Sequence, residues 1–513
     1  MWATAEHAAR SQVARPSLWC ERSVDRAKGY DVPEIELKLD VTPESAAAIA
    51  TSELFAGEPE RRKMKAIYFD TPDRALSAAG FSLRIRTSGQ SRVQTVKADG
   101  AASAGLFVRS EWEMDVEGET PVLDHTTPIR AMLGTACDTV APVFEVSVER
   151  RIWNVEEEGS RIEVVLDEGK VRSGKRKEPI CEIELELKEG RPAALFSLAR
   201  KVDAIAPVHI GVLSKSARGY RLAKKPRAAF KAEAIVLEPR LEARAAFQQI
   251  AHACLRQFRL NEALVLAERG PEALHQARVA LRRLRSAFSL FAPLYEGDAQ
   301  AVAFRHELRE LAAILGEARN LDVLIARAGP GDLHDRLQTA RSQAYADVEA
   351  ALASPQARAL MIDLMEWLAL GPWLAEADAR GGKARSFAEA ALDRYRRKVK
   401  KGGSRLKKAD DEARHELRKN AKKLRYAAEF FSSLFTGKKS RRRTERFIAA
   451  LEDMQDRLGL LNDLATAPGE IEKLGLSDDP QAQALLGADA KPELIAAAAE
   501  AHETFVDTKR FWR

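Results

Sequence analysis

Cysteine is scarce: Cys20, Cys137, Cys181 and Cys254 are the only four in 513 residues, and none has a neighbour at metal-type spacing. That excludes a Cys-rich zinc module and a disulfide framework, and it fits a reducing cytoplasm. Long apolar runs are missing too; none approaches the ~20 residues that a membrane-spanning helix needs. Aromatics make up only 6% of the chain against 31% charged residues, a balance suited to a soluble, helix-rich protein. A large excess of one charge is also absent. The net charge is +6 with a pI near 9.0, so the clustering of cations matters more than their total. Residues 1–30 hold Arg10, Arg15, Arg22 and Arg26 but no apolar core of a secretory signal. They read as a disordered extension, or as a start assigned too far upstream.

What is present is organised in two halves, since 513 residues exceed one core. From about 33 to 222 the pattern has period two, with strands expected at 34–41, 65–70, 81–87, 92–97, 107–117, 143–153, 161–167 and 180–188. Short helices fit at 43–55, 126–134 and 192–205. The hexapeptides EIELKL (34–39) and EIELEL (182–187) are nearly the same. On a strand, Glu34, Glu36 and Lys38 share one face and Ile35, Leu37 and Leu39 the other. A solvated face is the plain explanation for one such strand. The alternation recurs, however, at Arg84 and Arg86, at Arg109, Glu111 and Glu113, at Glu163 and Asp167, and at Glu182, Glu184, Glu186 and Lys188. Charged faces turned into a barrel make a hydrophilic tunnel of mixed sign. Gathered carboxylates need cations between them. Their hard oxygens suit Mg²⁺ or Mn²⁺, and facing Arg and Lys can clamp phosphates. That is a phosphoryl-transfer chemistry without a P-loop.

Residues 226–239, bounded by Pro226 and Pro239, read as a linker, and from 240 onward the periodicity is helical. This half repeats itself with an offset of 140: HQARVALRRLR begins at 275 and HELRKNAKKLR at 415. Each begins with a His followed by cations at +3, +7 and +10, giving His275, Arg278, Arg282 and Arg285, then His415, Arg418, Lys422 and Arg425. These steps return to one helix face. LGEARNLDVL (315–324) is echoed by LGLLNDLA (458–465). A single-sign stripe, written twice, calls for an anion. The motif helices have few aromatics to stack bases and no Asn or Gln placed to read base edges, which weighs against nucleic acid. A polymer of plain phosphates needs only regularly spaced cations.

The doubled His–Arg motif with its LG…N partner resembles the two halves of a CHAD domain, over about 240–513. That resemblance implies paired four-helix bundles (about 240–370 and 380–513) whose basic surface binds inorganic polyphosphate. Residues 33–222 resemble the CYTH family of triphosphate-tunnel metalloenzymes. The likeness rests on Glu34-x-Glu36-x-Lys38; on Tyr68, Asp70 and Thr71, with Leu76 after them; on Leu83 to Arg86; on Lys97; on Arg109 to Glu113; on Arg150 before Trp153; on Leu166 to Gly169; and on Ser214 to Tyr220. The expected fold is therefore α+β and multidomain. An antiparallel β-barrel tunnel with flanking helices (31–225) precedes an all-α pair of four-helix bundles (240–513).

The resemblance implies two divalent cations held by Glu34, Glu36, Glu182 and Glu184, with Asp167 assisting. It implies phosphate contacts from Lys38, Arg84, Arg86, Lys97, Arg109, Arg150, Lys215 and Arg218, with Glu36 and Lys38 central to catalysis. The parity of its strand leaves Arg150 open against Arg151. The expected activity is hydrolysis of tripolyphosphate to pyrophosphate and phosphate by a cytoplasmic enzyme placed where phosphate polymers accumulate. Thiamine or nucleoside triphosphate hydrolysis, adenylyl cyclase chemistry, and polyphosphate binding without turnover stay open.

Overall fold

The computed structural model describes residues 34–98, 105–484 and 491–513, so the extension expected at 1–30 lies outside the described residues. The chain divides into two units, Met1–Arg227 and Ala228–Arg513.

The first unit contains β1 (Glu34–Asp40), α1 (Pro43–Ala50), β2 (Glu60–Asp70), α2 (Ala75–Ala78), β3 (Phe81–Ser88), β4 (Ser91–Ala98), β5 (Leu106–Arg109) and β6 (Glu111–Asp115). It continues with α3 (Ile129–Leu133), β7 (Ala141–Glu157), β8 (Ser160–Ser173), β9 (Arg176–Glu189), α4 (Ala193–Ile205), β10 (His209–Ile210) and α5 (Lys215–Leu222). Pro43 opens α1 directly after Thr42, whose hydroxyl accepts from the Ser45 amide. The strand order β1-β9-β8-β7-β2-β3-β4-β6 is antiparallel throughout.

The stretch expected as one strand at 107–117 is two strands that change partner at Ser110. β5 pairs with β1, matching Glu34 to Arg109, while β6 pairs with β4. This change carries the sheet from β4 back to β1 and curls it into a barrel, which removes the unpaired edges an open sheet would leave.

Alternation then sorts side chains by face. Outside, α4 packs on β1, β7 and β9 and buries Leu195, Phe196, Leu198 and Val202. Phe69, Leu76, Leu83, Ile85, Val96 and Ile129 form a second outer core. Inside, one end of the bore is filled by Ala66, Tyr68, Phe144, Val146, Val148, Val171 and Ile180, with Tyr220 and Leu222 of α5 against them. Gly219 lets α5 reach this plug: a Cβ there would lie 2.1 Å from the Phe144 ring. That ring is itself stacked on Tyr68 with centroids 4.6 Å apart, so it has no room to give. Gly219→Ala is therefore expected to cost about 1–3 kcal/mol of stability, read as a lower midpoint in chemical unfolding of this unit.

The second unit is helical: α6 (Ala243–Glu268), α7 (Pro271–Leu290), α8 (Ala299–Arg327), α9 (Asp332–Ala353), α10 (Pro355–Leu370), α11 (Leu374–Gly381), α12 (Ala384–Gly403), α13 (Asp411–Phe431), α14 (Lys438–Lys473), α15 (Pro480–Ala484) and α16 (Lys491–Asp507). Neighbours in sequence pack as neighbours in space, α6 to α9 in the first repeat and α12, α13, α14 and α16 in the second. The repeats meet where α6 packs on α12 and α7 on α13. Phe247 and Phe387, equivalent in the two repeats, both lie against Phe291, at centroid distances of 5.1 and 4.8 Å.

Residues 226–239 lack regular structure, as a linker should, yet part of the segment is fastened to this unit. Asn261 Oδ1 accepts from the Phe230 amide at 2.8 Å, Ser433 Oγ accepts from the Leu237 amide at 2.9 Å, and Leu237 is buried. Among the described residues, no helix is long and apolar enough to cross a membrane.

Candidate active site and anion-binding helices

Beyond the apolar plug the bore opens into a cavity of about 640 Å³. Every strand face predicted to carry charge contributes. β1 supplies Glu36 and Lys38, β3 supplies Arg84 and Arg86, and β4 supplies Lys97. Glu111 and Glu113 come from β6, Arg150 from β7, Glu163 from β8, and Glu184, Glu186 and Lys188 from β9. The register explains the convergence: Glu36 faces Glu186 and Lys38 faces Glu184 across β1 and β9, while Arg150 faces Asp167 across β7 and β8. The same register resolves the parity of β7. Arg150 points inward, and Arg151 pairs with Glu168 on the other face.

At the base of the cavity three acids and three cations are locked together. Asp167, Glu182 and Glu184 present oxygens all within 4.8 Å of one another. Lys215, at the start of α5, places Nζ 2.7 Å from Asp167, 2.6 Å from Glu182 and 2.9 Å from Glu184. Lys38 Nζ is 3.0 Å from Glu182 and also pairs with Glu184. Arg150 makes a fork to Asp167 at 2.8 and 2.6 Å and reaches Glu184 at 3.3 Å. Burial opposes ionisation of Glu182, but Lys215 and Lys38 outweigh it and bring its carboxyl down to about 2. Glu184 is likewise held well below the usual range, burial being overcome by Lys215, Lys38 and Arg150. Burial also works against the Lys215 ammonium, and Asp167, Glu182 and Glu184 more than reverse it, raising its pKa.

The donor set fits a hard divalent cation. It consists of carboxylate oxygens alone; Glu182 Oε2 is buried and makes no hydrogen bond, its neighbouring cation being Arg218. Glu36 is not in this trio. The backbone of Glu34 pairs with that of Arg109, and both side chains lie outside what is described. Arg218 sits behind the trio, with Nε 3.5 Å from Glu182 and Nη1 3.4 Å from Glu178, and also pairs with Asp40; it is not part of the cavity wall.

The opposite wall is richer in positive charge. Arg84 has its Nε buried without a partner and reaches the Tyr68 hydroxyl at 3.4 Å. Burial, Arg84 and Arg150 lower the pKa of Arg86. Lys97 pairs with Glu111 at 2.8 Å and Arg86 with Glu113 at 3.2 Å. Arg62 joins this lining, a residue the sequence reading missed because ERRKMK (60–65) shows no alternation. Counting back in twos from Tyr68 would have placed it. Asp70, by contrast, is a staple: it accepts from the amides of Thr71, Leu76 and Ser77 and from the Tyr220 hydroxyl. Gly169, of the Leu-Asp-x-Gly run, is needed for close approach, since a Cβ would lie 2.0 Å from the Ser147 carbonyl oxygen.

In the helical unit the two stripes converge in part. Arg278 and Arg282 of α7 stand near Arg418 and Lys422 of α13 and Arg319 of α8. Burial, then Arg282, Arg319 and Arg418, lower Arg278 to about 10. Burial, then Arg418, Arg282, Arg425 and Arg278, lower Lys422 to about 7. His275 falls to about 4 through burial and Arg319, Arg282 and Arg278, and so is neutral at pH 7. Nε of both Arg282 and Arg418 is buried without a hydrogen-bond partner.

The echoed LG…N runs have distinct tasks. Arg278 lies over Gly316 and donates to its carbonyl at 2.7 Å, and His415 Nδ1 meets Asn462 Oδ1 at 2.8 Å. The stripes do not act as one throughout. Arg425 is neutralised by Glu429 at 2.7 Å and Glu452 at 3.4 Å, and Arg285 lies among Arg305 and Arg309.

Comparison with known proteins bears on both units. The CYTH domain model matches residues 32–220 and the CHAD domain model residues 249–472. An inorganic triphosphatase of Haemophilus influenzae is 32% identical over 195 residues, 37% of this chain and 55% of that protein. The chain thus spans about half the length of this curated relative. Among solved structures, the CHAD domain of the plant Ricinus communis is 29% identical, with a TM-score of 0.47 over 56% of this chain and 98% of its own. A Hippeastrum protein carrying an adenylyl cyclase name and a dominant triphosphatase activity is 19% identical, with a TM-score of 0.30 over 36% of this chain and 95% of its own. The chain carries a CYTH domain over residues 32–220 followed by a CHAD domain over residues 249–472.

Proposed function

We propose that the protein is a divalent-metal-dependent inorganic triphosphatase, cleaving tripolyphosphate with water to pyrophosphate and phosphate, and that its helical half binds inorganic polyphosphate. One observation carries the reading: a single cavity brings Glu184, the partly exposed member of the carboxylate trio, and Glu36 together with Arg84, Arg86 and Lys97, while Asp167 and Glu182 lie buried behind Glu184. Asp167, Glu182 and Glu184 are the residues to hold Mg²⁺ or Mn²⁺, with Glu36 beside them on the cavity wall. The ions would supply Lewis-acid activation of phosphate and water. Arg84 and Arg86 are the residues to take the phosphate oxygens, because Arg forks match oxyanions. Lys38 and Arg150 hold the carboxylates ionised and in position.

Phosphate release from tripolyphosphate, ATP and thiamine triphosphate, each with Mg²⁺, Mn²⁺ or EDTA, tests this. Tripolyphosphate is expected to be cleaved fastest, and only with a divalent ion. Equal or faster cleavage of ATP or thiamine triphosphate would reassign the substrate, and polyphosphate retention with no turnover on any of them would leave a binding protein.

The helical unit has its own pH signature. Lys422 titrates near 7 in the folded protein against about 10.5 when exposed. Between these values the unfolded chain binds more protons, so this group's contribution to stability rises with pH across that window. A bound polyanion favours the protonated form, so polyphosphate affinity should fall over the same window. Equilibrium binding at constant ionic strength from pH 6.5 to 9.5 measures it. Lys422→Arg, always charged, should flatten the profile.

A further inference from the structure

We propose that Lys215 holds the place of a divalent cation in the metal-free protein and yields it on metal loading, its ammonium passing from the three carboxylates to the cavity. The inference rests on the metal-dependent reading above, and the anion that would receive the lysine is the triphosphate of that reading.

The geometry is specific. Lys215 Nζ lies 2.6–2.9 Å from one oxygen each of Asp167, Glu182 and Glu184. A divalent ion needs carboxylate oxygens at about 2.0–2.6 Å, so it claims the same point where these three converge. Both cannot sit there.

Charge gives the same answer. Asp167, Glu182 and Glu184 are already matched by Lys38, Lys215 and Arg150, with Arg218 behind Glu182. A divalent ion added to that set would bring two further positive charges into a buried place, which is costly. Departure of one ammonium toward a polyanion lowers the excess.

Lys215 is the cation able to leave. Lys38 stands mid-strand in β1 and is 1% exposed, and Arg150 is fixed by a two-pronged fork to Asp167. Lys215 lines the same cavity as they do but projects from the first turn of α5, beside Ser214 and Ser216. Its four-carbon stem gives the ammonium freedom that a guanidinium fork lacks. The two hydroxyls offer polar company outside the trio.

The test uses metal alone. Mn²⁺ is titrated calorimetrically into the full-length protein and into Lys215→Met, without phosphate. The variant is expected to bind Mn²⁺ at least about tenfold more tightly, because no ammonium competes. Equal or weaker binding by the folded variant overturns the proposal. Should the variant fail to fold, the wild-type protein decides. In ¹⁵N-lysine-labelled protein, the buried Lys215 ammonium signal, assigned by its loss in Lys215→Arg, should shift or exchange rapidly with solvent on saturation with Mg²⁺. An unmoved signal overturns the proposal. Neither measurement uses turnover, so an inactive enzyme that passes them would sink the triphosphatase reading alone.

Discussion

Glu184→Gln is expected to lower kcat for tripolyphosphate by about a thousandfold, the scale reached when a preorganised charge is removed from a reacting centre. Glu184 is the acid shared by everything the site does. It lines the cavity, belongs to the carboxylate trio, and touches Lys38, Lys215 and Arg150. Gln keeps the shape but removes the charge, so the trio proposed to hold the metal loses an anionic oxygen and its cations outnumber its acids. KM should change much less than kcat if the loss falls on charge stabilisation during the reaction. Because the pairs are largely buried, the variant should also melt earlier, and its activity must be read below its own melting temperature. Polyphosphate retention should be untouched, since the stripes lie in the other unit. Activity within threefold of wild type in a folded variant would remove Glu184 from the mechanism.

The double variant Arg282→Gln with Arg418→Gln should move binding and stability in opposite directions. Arg282 sits near Lys422 and Arg278, Arg418 lies near Asp463 and Arg282, and each has a buried Nε with no hydrogen-bond partner. Without an anion, such a cluster carries repulsion and unmet donors. Relief of both should raise the melting temperature of the anion-free protein. Losing two charge-assisted contacts at about 1.4 kcal/mol each, one power of ten apiece, should weaken polyphosphate binding by about a hundredfold and make its salt dependence shallower. A lower melting temperature with unchanged binding would mean that the cluster is structural. Glu36→Gln is the complementary variant, expected to lose turnover and keep polyphosphate retention.

Much of this was legible from spacing. Alternating charges on strands, the doubled EIEL hexapeptide, and the +3, +7, +10 stripes are periodic signals, and periodicity dictates which side chains share a face. Glu36, Lys38, Arg84, Arg86 and Glu184 were found in that way, Lys97 through the family resemblance, and all line the cavity. Other features were illegible because they depend on partners distant in sequence. The partner change at Ser110 follows from β4 and β1 closing a ring. The choice of Arg150 over Arg151 follows from β7's register against β8. Arg62 was hidden by a charged run with no apolar alternation. The unequal fates of the stripe residues, Arg282 unpaired at Nε and Arg425 neutralised by Glu429 and Glu452, depend on which helices pack beside them.

The sequence by itself determined that two units exist, that one sorts ionic and apolar side chains onto opposite strand faces, and that the other writes a cationic helix twice. Local periodicity carries that information, because a side chain's face is set by its own backbone. Tertiary structure alone decided that Lys215 stands among Asp167, Glu182 and Glu184, and that one end of the bore is closed by Phe144 and its neighbours. Those facts require strands and helices far apart in the chain to meet within a few ångströms, and no local pattern encodes that distance.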